Sequence, residues 1–288
     1  MIGLWNRAGP LIRRLIVIWL VVSAITSPIL YFLLGPHLPP FGMSDVSGFQ
    51  AFDNAVMVSI VDPVIVFLVV FFGYALVNFR HHRGSAALED GPPLRGDGRT
   101  IALWITVTGL MVGFLAGWGS YELWPGEHGA GGGQAPNPIT LAVPASASTA
   151  LQVQVIGEQW AWTFRFPAYG GVETTDLELP VNQTIEFHVT SIDVIHSFWA
   201  YELGVKADAV PGTENIAFVE PLQTGGFSIR CAELCGLWHG HMSTTGHVVS
   251  NSAFQTWITG QEAQWAPATK QLDPYSPVYH EQPEYRAG

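Results

Sequence analysis

The sequence predicts a two-part membrane protein: N-terminal transmembrane α-helices, a two-helix hairpin plus one extra N-terminal span, followed by an all-β domain. Three observations carry this expectation. Of 288 residues, 48% are hydrophobic and only 12% are charged, about half the charged fraction of an ordinary soluble domain. Three long apolar runs crowd the first 120 residues. After residue 138 the helical pattern gives way to short β-prone runs between turn signals.

The first run, Leu15 to Leu34, is broken only by Ser23, Thr26, Ser27 and Pro28, and at about 1.5 Å per residue it crosses roughly 30 Å of hydrocarbon. Residues 1–35 therefore read as an extra transmembrane helix or as a signal peptide, because Arg13 and Arg14 precede the run. The run exceeds an ordinary signal core of about 7 to 15 residues, and no small-x-small cleavage pattern precedes Gly35, which favours the helix. Residues 36–123 read as a helical hairpin built from Val56 to Phe79 and Ile101 to Trp118, with Trp104 and Trp118 placed as interfacial anchors. The loop between them holds Arg80, Arg83, Arg95 and Arg99, whereas Gly35 to Ala55 holds no Lys or Arg. The positive-inside rule puts that loop in the cytoplasm and everything after Trp118 on the outer face. Asp62, followed by Pro63, falls inside the second span. An intramembrane carboxylate is a functional candidate, although its place near the outer end suits a cap or kink of that helix.

Residues 124–138, with the Gly-rich stretch G-E-H-G-A-G-G-G-Q-A-P-N-P, read as a flexible linker. Residues 139–262 carry the runs L-Q-V-Q-V-I-G, W-A-W-T-F-R-F, T-I-E-F-H-V-T-S, N-I-A-F-V-E-P, G-F-S-I-R-C and G-H-V-V-S, spaced as in an antiparallel sandwich or barrel. Residues 263–288 lack periodicity and read as an extended tail.

The net charge of −11 argues against a nucleic-acid partner, since phosphate binding rests on a basic face. Residues 121–288 hold 5 basic and 17 acidic groups, so the acidity sits in the second half. Cys231 and Cys235 are the only cysteines, which rules out a disulfide framework and leaves none near the N-terminus for lipid attachment.

Residues 231–242 read C-A-E-L-C-G-L-W-H-G-H-M, which places two thiols, two imidazoles and a thioether together, with His196 upstream in D-V-I-H-S-F. These are soft or borderline ligands, the set that copper takes in electron-transfer sites. A structural zinc site normally offers Cys and His without Met. A Cys231–Cys235 disulfide is the plain alternative in an oxidising compartment, but it leaves His196, His239 and Met242 unexplained. A single blue copper needs one Cys, and a second cysteine four residues on is what a thiolate-bridged copper pair requires. His188, His241 and His247 read as structural.

The sequence resembles subunit II of the haem-copper cytochrome c oxidases, from the second apolar run to about Ser250. Five fragments carry the likeness in order: Y-A-L-V-N-F-R-H-H-R, Q-W-A-W-T-F-R-F, D-V-I-H-S-F, G-V-K-A-D-A-V-P-G and C-A-E-L-C-G-x-x-H-x-x-M. The resemblance implies a cupredoxin-like Greek-key domain with a dinuclear copper A centre. Cys231 and Cys235 would bridge the coppers, His196 and Met242 would complete one shell, and His239 and the Glu233 carbonyl the other. The Glu233 side chain would help hold a Mg or Mn ion shared with subunit I, a role that suits a hard carboxylate oxygen; its plain reading is a solvated acid. Trp160 matches the aromatic through which cytochrome c passes its electron, and Trp162 is the lesser candidate. Three departures stand out: Ile101 where a carboxylate near a proton-uptake path is common, Arg165 where an acidic docking residue is common, and Thr213 where Arg is usual.

The function so implied is electron acceptance from cytochrome c at copper A and transfer to haem in subunit I, where oxygen is reduced to water with proton pumping. The implied partners are subunits I and III, cytochrome c and the lipid bilayer; haems belong to the partner, and the location is the outer face of a bacterial plasma membrane. Glu173, Asp176 and Glu178 after the Trp strand would steer a basic cytochrome. A quinol oxidase subunit would lack the copper ligands, and a copper carrier would favour exposed, exchangeable ones.

Overall fold

The computed structural model describes residues 9–38, 40, 42–80, 97–122, 133–134 and 148–269. It divides into a helical unit and a β unit, which also takes in residues 39–51. The basic positions Arg83 and Arg95 of the connecting loop, most of the linker and the final residues of the tail lie outside the described residues.

In the helical unit, α1 (Pro10–Ile29) runs into a π-helical turn (Leu30–Leu34), and α2 (Asp45–Asn78) and α3 (Gly98–Glu122) follow. All three are long and apolar enough to cross a bilayer. Most of their side chains are exposed, as lipid-facing residues are; Leu20, Ile25, Val69 and Leu110 are examples. Asp62 does not cap α2, one of the two roles its sequence position suggested: the helix runs from Asp45 to Asn78 with Pro63 inside it. The carboxyl is buried and accepts hydrogen bonds from Thr26 Oγ1 at 2.6 Å and Ser27 Oγ at 2.7 Å.

The β unit is a two-sheet sandwich of β1 (Gly133–Gln134), β2 (Leu151–Glu158), β3 (Ala161–Phe166), β4 (Val172–Thr174), β5 (Leu177–Pro180), β6 (Ile185–Ser191), β7 (His196–Ala200), β8 (Val205–Ala209), β9 (Asn215–Val219), β10 (Gly225–Cys231) and β11 (Ser243–Val249), followed by α4 (Asn251–Thr269). One sheet has the order β1-β9-β6-β2-β3-β4 and the other β5-β11-β10-β7-β8, the cupredoxin-like Greek-key arrangement. It is not purely antiparallel as its spacing suggested. β2 pairs parallel with β6, and β5 parallel with β11, because each chain segment between these strands crosses to the other sheet before returning.

Period-two burial builds the core. In β6, Ile185, Phe187 and Val189 point inward while Glu186 and His188 do not, and in β3 Trp162, Phe164 and Phe166 are the inward set. Phe198 of β7 lies at the centre, its ring 5.6 Å from Trp162 and 5.3 Å from Phe187. Burying each such side chain contributes about 1.5–3 kcal/mol.

Three segments differ from the sequence reading. Within the linker, Gly133–Gln134 form a strand pairing with Asn215 and Ile216. Residues 263–269 are not extended but continue α4, whose Phe254 and Ile258 are buried against the sandwich. Ser250 caps that helix, its Oγ accepting from Ala253 N. Residues 42–51, assigned to the hairpin by sequence, join the β unit: Ser44 Oγ donates to Leu203 O, Glu220 N donates to Asp45 Oδ1, and Val46 enters the core.

On the face of β6 turned away from the core, His188 stands between two carboxylates, with Nδ1 2.9 Å from Glu214 and Nε2 3.3 Å from Glu186. Burial alone would lower its pKa, but the two carboxylates outweigh burial and raise it above 6.5. A histidine with a raised folded-state pKa adds stability that is fully present below the unfolded value and is lost as pH rises through the folded value. Relative to His188→Gln, the wild-type chain should therefore lose melting temperature as the pH climbs from mildly acidic to alkaline. Thermal melts of the detergent-solubilised chain across that range check this, and parallel pH profiles for the two proteins contradict it.

Candidate metal centre

The cysteine-rich segment is the connection between β10 and β11. Cys231 ends β10 and Met242 immediately precedes β11, and the backbone closes the loop at its base through Cys231 N to Met242 O at 3.0 Å. Ala232 N donates to Ser197 O, which ties the loop to β7, the strand that His196 begins. Inside the loop, His239 N donates to Gly236 O and Met242 N to His239 O, forming a short turn over His239–His241. Three neighbouring strands thus fix residues that lie far apart in sequence.

The donor atoms converge. Cys231 Sγ lies 3.7 Å from Cys235 Sγ, 3.8 Å from His196 Nδ1 and 3.2 Å from the Glu233 carbonyl oxygen. Cys235 Sγ lies 3.6 Å from His239 Nδ1 and 3.8 Å from Met242 Sδ. Metal–sulfur and metal–nitrogen bonds of about 2.3 and 2.0 Å at tetrahedral angles put two donors on one ion about 3.5–3.8 Å apart, so the spacing fits shared metal ligation. Both cysteines are free, which sets aside the disulfide alternative. His196 is fully buried, and Cys235 and Met242 are nearly so. The Glu233 side chain is exposed.

The surroundings orient these donors. Asp193 Oδ1 accepts from His196 Nε2 at 2.9 Å, which leaves Nδ1 as the free lone pair facing Cys231. Partial burial works against the Asp193 carboxylate, but His196 and the backbone N–H groups of Val194 and Gln159 hold its pKa below the ordinary range. Neither Asp193 nor Gln159, whose Nε2 donates to Cys235 O at 2.8 Å, stood out as functional in the sequence. The D-x-x-H spacing was the available signal for Asp193. Gly157 makes room for the histidine, because a Cβ there would stand 3.0 Å from His196 Cδ2 and 3.1 Å from the Trp162 ring.

Trp160 is half-buried beside the loop. Gly236 has φ +119°, and a Cβ there would lie 3.4 Å from Trp160 Cζ2, so this glycine lets the indole approach the backbone next to Cys235. Trp162 is buried, edge-on to His196 and Phe198, a core residue. His241 is exposed against Trp238, and His247 lies exposed on β11; neither joins the cluster. Around the centre Val194, Ile195, Leu234, Leu237 and Trp238 expose apolar surface, Leu237 at 86%.

Burial and the adjacent Cys231 sulfur push the Cys235 thiol up to about 11. Without metal, Cys235 therefore stays protonated at neutral pH, and loading a metal must release that proton. Ultraviolet titration of the metal-free chain should show Cys235 thiolate only near pH 11; full thiolate absorbance for both cysteines by neutral pH contradicts this.

Comparison with known proteins bears on the same residues. Residues 173–249 match the family model described as cytochrome c oxidase subunit II, periplasmic domain. The cytochrome c oxidase subunit 2 of Thermostichus vulcanus is 29% identical over 287 residues, covering 85% of this chain and 86% of its own. The alternative cytochrome c oxidase subunit 2 of Bradyrhizobium diazoefficiens is 26% identical over 230 residues, covering 68% and 74%. Among solved structures, the periplasmic domain of subunit II of cytochrome oxidase from Bradyrhizobium japonicum is 32% identical with a TM-score of 0.39, covering 40% of this chain and 94% of that one. The chain belongs to the cytochrome c oxidase subunit II family.

Proposed function

We propose that this chain accepts electrons singly from cytochrome c at a dinuclear copper A centre and delivers them to haem in subunit I, where oxygen is reduced to water with proton pumping. The observation that carries this reading is the convergence of Cys231, Cys235, His196, His239, Met242 and the Glu233 carbonyl at ligand spacing. A copper pair bound there supplies a one-electron couple whose charge is spread over both metals. The chain's own residues do the rest.

Cys231 and Cys235 present both sulfurs to a shared space, as bridging ligands must. His196 and Met242 would complete one side of such a pair, and His239 with the Glu233 carbonyl the other. Asp193 fixes the His196 tautomer, and the hydrogen-bonded loop keeps the donors in place whatever the redox state. Trp160, next to Gly236 and Cys235, offers a conjugated path from the surface. The exposed apolar rim of Leu234, Leu237 and Trp238 suits docking of protein partners, subunits I and III of the oxidase and cytochrome c. Asp176 and Glu178 add negative charge for a basic donor, while Glu173 is paired with Arg165 at 3.6 Å. The exposed Glu233 carboxylate is free to share a Mg or Mn ion with subunit I. With the positive-inside orientation, the β unit lies on the outer face of a bacterial plasma membrane.

A copper carrier is the second reading, and burial opposes it. Full enclosure of His196 and near-enclosure of Cys235 and Met242 hinder the ligand exchange that handing over a metal demands.

Metal analysis of the purified full chain should give a pair of coppers per chain without zinc; a single copper, or zinc, contradicts the reading. In the assembled oxidase, Trp160→Phe should slow electron transfer from cytochrome c by roughly tenfold or more, over 1.4 kcal/mol of barrier, with copper content unchanged. An unchanged rate removes Trp160 from the path.

A further inference from the structure

The helical unit holds a polar contact that the copper chemistry does not use. Asp62, in the middle of α2, is 5% exposed, and its Oδ2 accepts from both Thr26 Oγ1 and Ser27 Oγ, each on α1. About two turns back along α1, Trp19 Nε1 donates to Pro63 O at 2.7 Å, and its ring meets Phe67 edge-on at 5.6 Å. At the far end, a Cβ on Gly35 would fall 2.6 Å from Ala55 Cβ, so the backbones approach there as closely as a glycine permits.

These contacts form one stripe. Trp19, Ser23, Thr26 and Ser27 follow the i, i+4, i+7, i+8 spacing of a single helix face. Their partners descend along α2 as α1 ascends, from Phe67 and Pro63 through Asp62 to Ala55, which is an antiparallel pair. On the other faces of α1 the apolar side chains are open: Leu20 is 53% exposed, Val21 52% and Ile25 56%. Of the polar residues that interrupt the first apolar run, Thr26 and Ser27 therefore bond α2, and Ser23 is buried on the same face.

We infer that α1 is a permanent third helix of the membrane unit, held to α2 by an Asp62–Thr26–Ser27 clasp, and is not removed as a signal sequence. A carboxyl inside hydrocarbon without donors costs several kcal/mol. Removing residues 10–34 would leave Asp62 in that condition, because Thr26 and Ser27 supply both side-chain hydrogen bonds it accepts among the described residues. A signal core needs only apolarity, whereas this segment carries matched partners for specific positions of α2.

Two measurements on the full chain purified from membranes through a C-terminal tag test the inference. Intact mass should include residues 10–34; an N-terminus beyond residue 34 overturns it. Separately, Thr26→Val with Ser27→Ala should lower the melting temperature by stranding the carboxyl. Adding Asp62→Leu to that pair should restore most of the loss, because an apolar contact leaves no polar group unpaired. No destabilisation in the double variant, or no recovery in the triple variant, overturns the clasp.

Discussion

The centre depends on one backbone hydrogen bond, from Cys231 N to Met242 O, which closes the connection between β10 and β11. Fixing each loop residue in one conformation costs about 1–2 kcal/mol of entropy. That cost is offset because the sandwich holds the loop from several sides: Ser197 O takes the N–H of Ala232, and the Gln159 side chain takes the carbonyl of Cys235. The donors from the loop then meet His196, which reaches them from β7 under the direction of Asp193. A site assembled on strand ends holds its geometry more tightly than one on a free loop, and a redox centre gains from that because little must move when an electron arrives.

The same logic governs polarity in both units. Helices destined for lipid expose apolar side chains, and the buried carboxyl of Asp62 is received by two hydroxyls of a neighbouring helix. In the sandwich, the half-buried imidazole of His188 stands between Glu186 and Glu214, and the buried one of His196 is held by Asp193. The apolar exceptions, Leu234, Leu237 and Trp238, are exposed beside the candidate metal ligands. The acidity of the second half, which first argued against nucleic acid, is a surface property of the unit that would face a basic redox donor.

Much of this was legible in the sequence because it rests on local pattern. The apolar runs marked the helices, and alternation marked β2, β3, β6, β9, β10 and β11. The candidate donors were readable from the dense run between Cys231 and Met242, with His196 standing upstream in D-V-I-H-S-F. What escaped depends on contacts between distant segments. Strands β4 and β5 are too short for periodicity to register. The parallel pairings arise from crossovers that spacing does not encode. Helix α4 carried a readable signal in Ser250 followed by Phe254, Trp257 and Ile258, but its Gly and Pro residues mimic a tail. Asp193 and Gln159 act through partners three and 76 residues away, and the role of Asp62 required knowing that α1 lies against α2.

The central claim is that two thiolates hold two coppers sharing one electron. Electron paramagnetic resonance of the copper-loaded full chain tests it most directly. A hyperfine pattern from one unpaired electron coupled equally to both copper nuclei is the result expected. A pattern from a single copper nucleus would contradict the account.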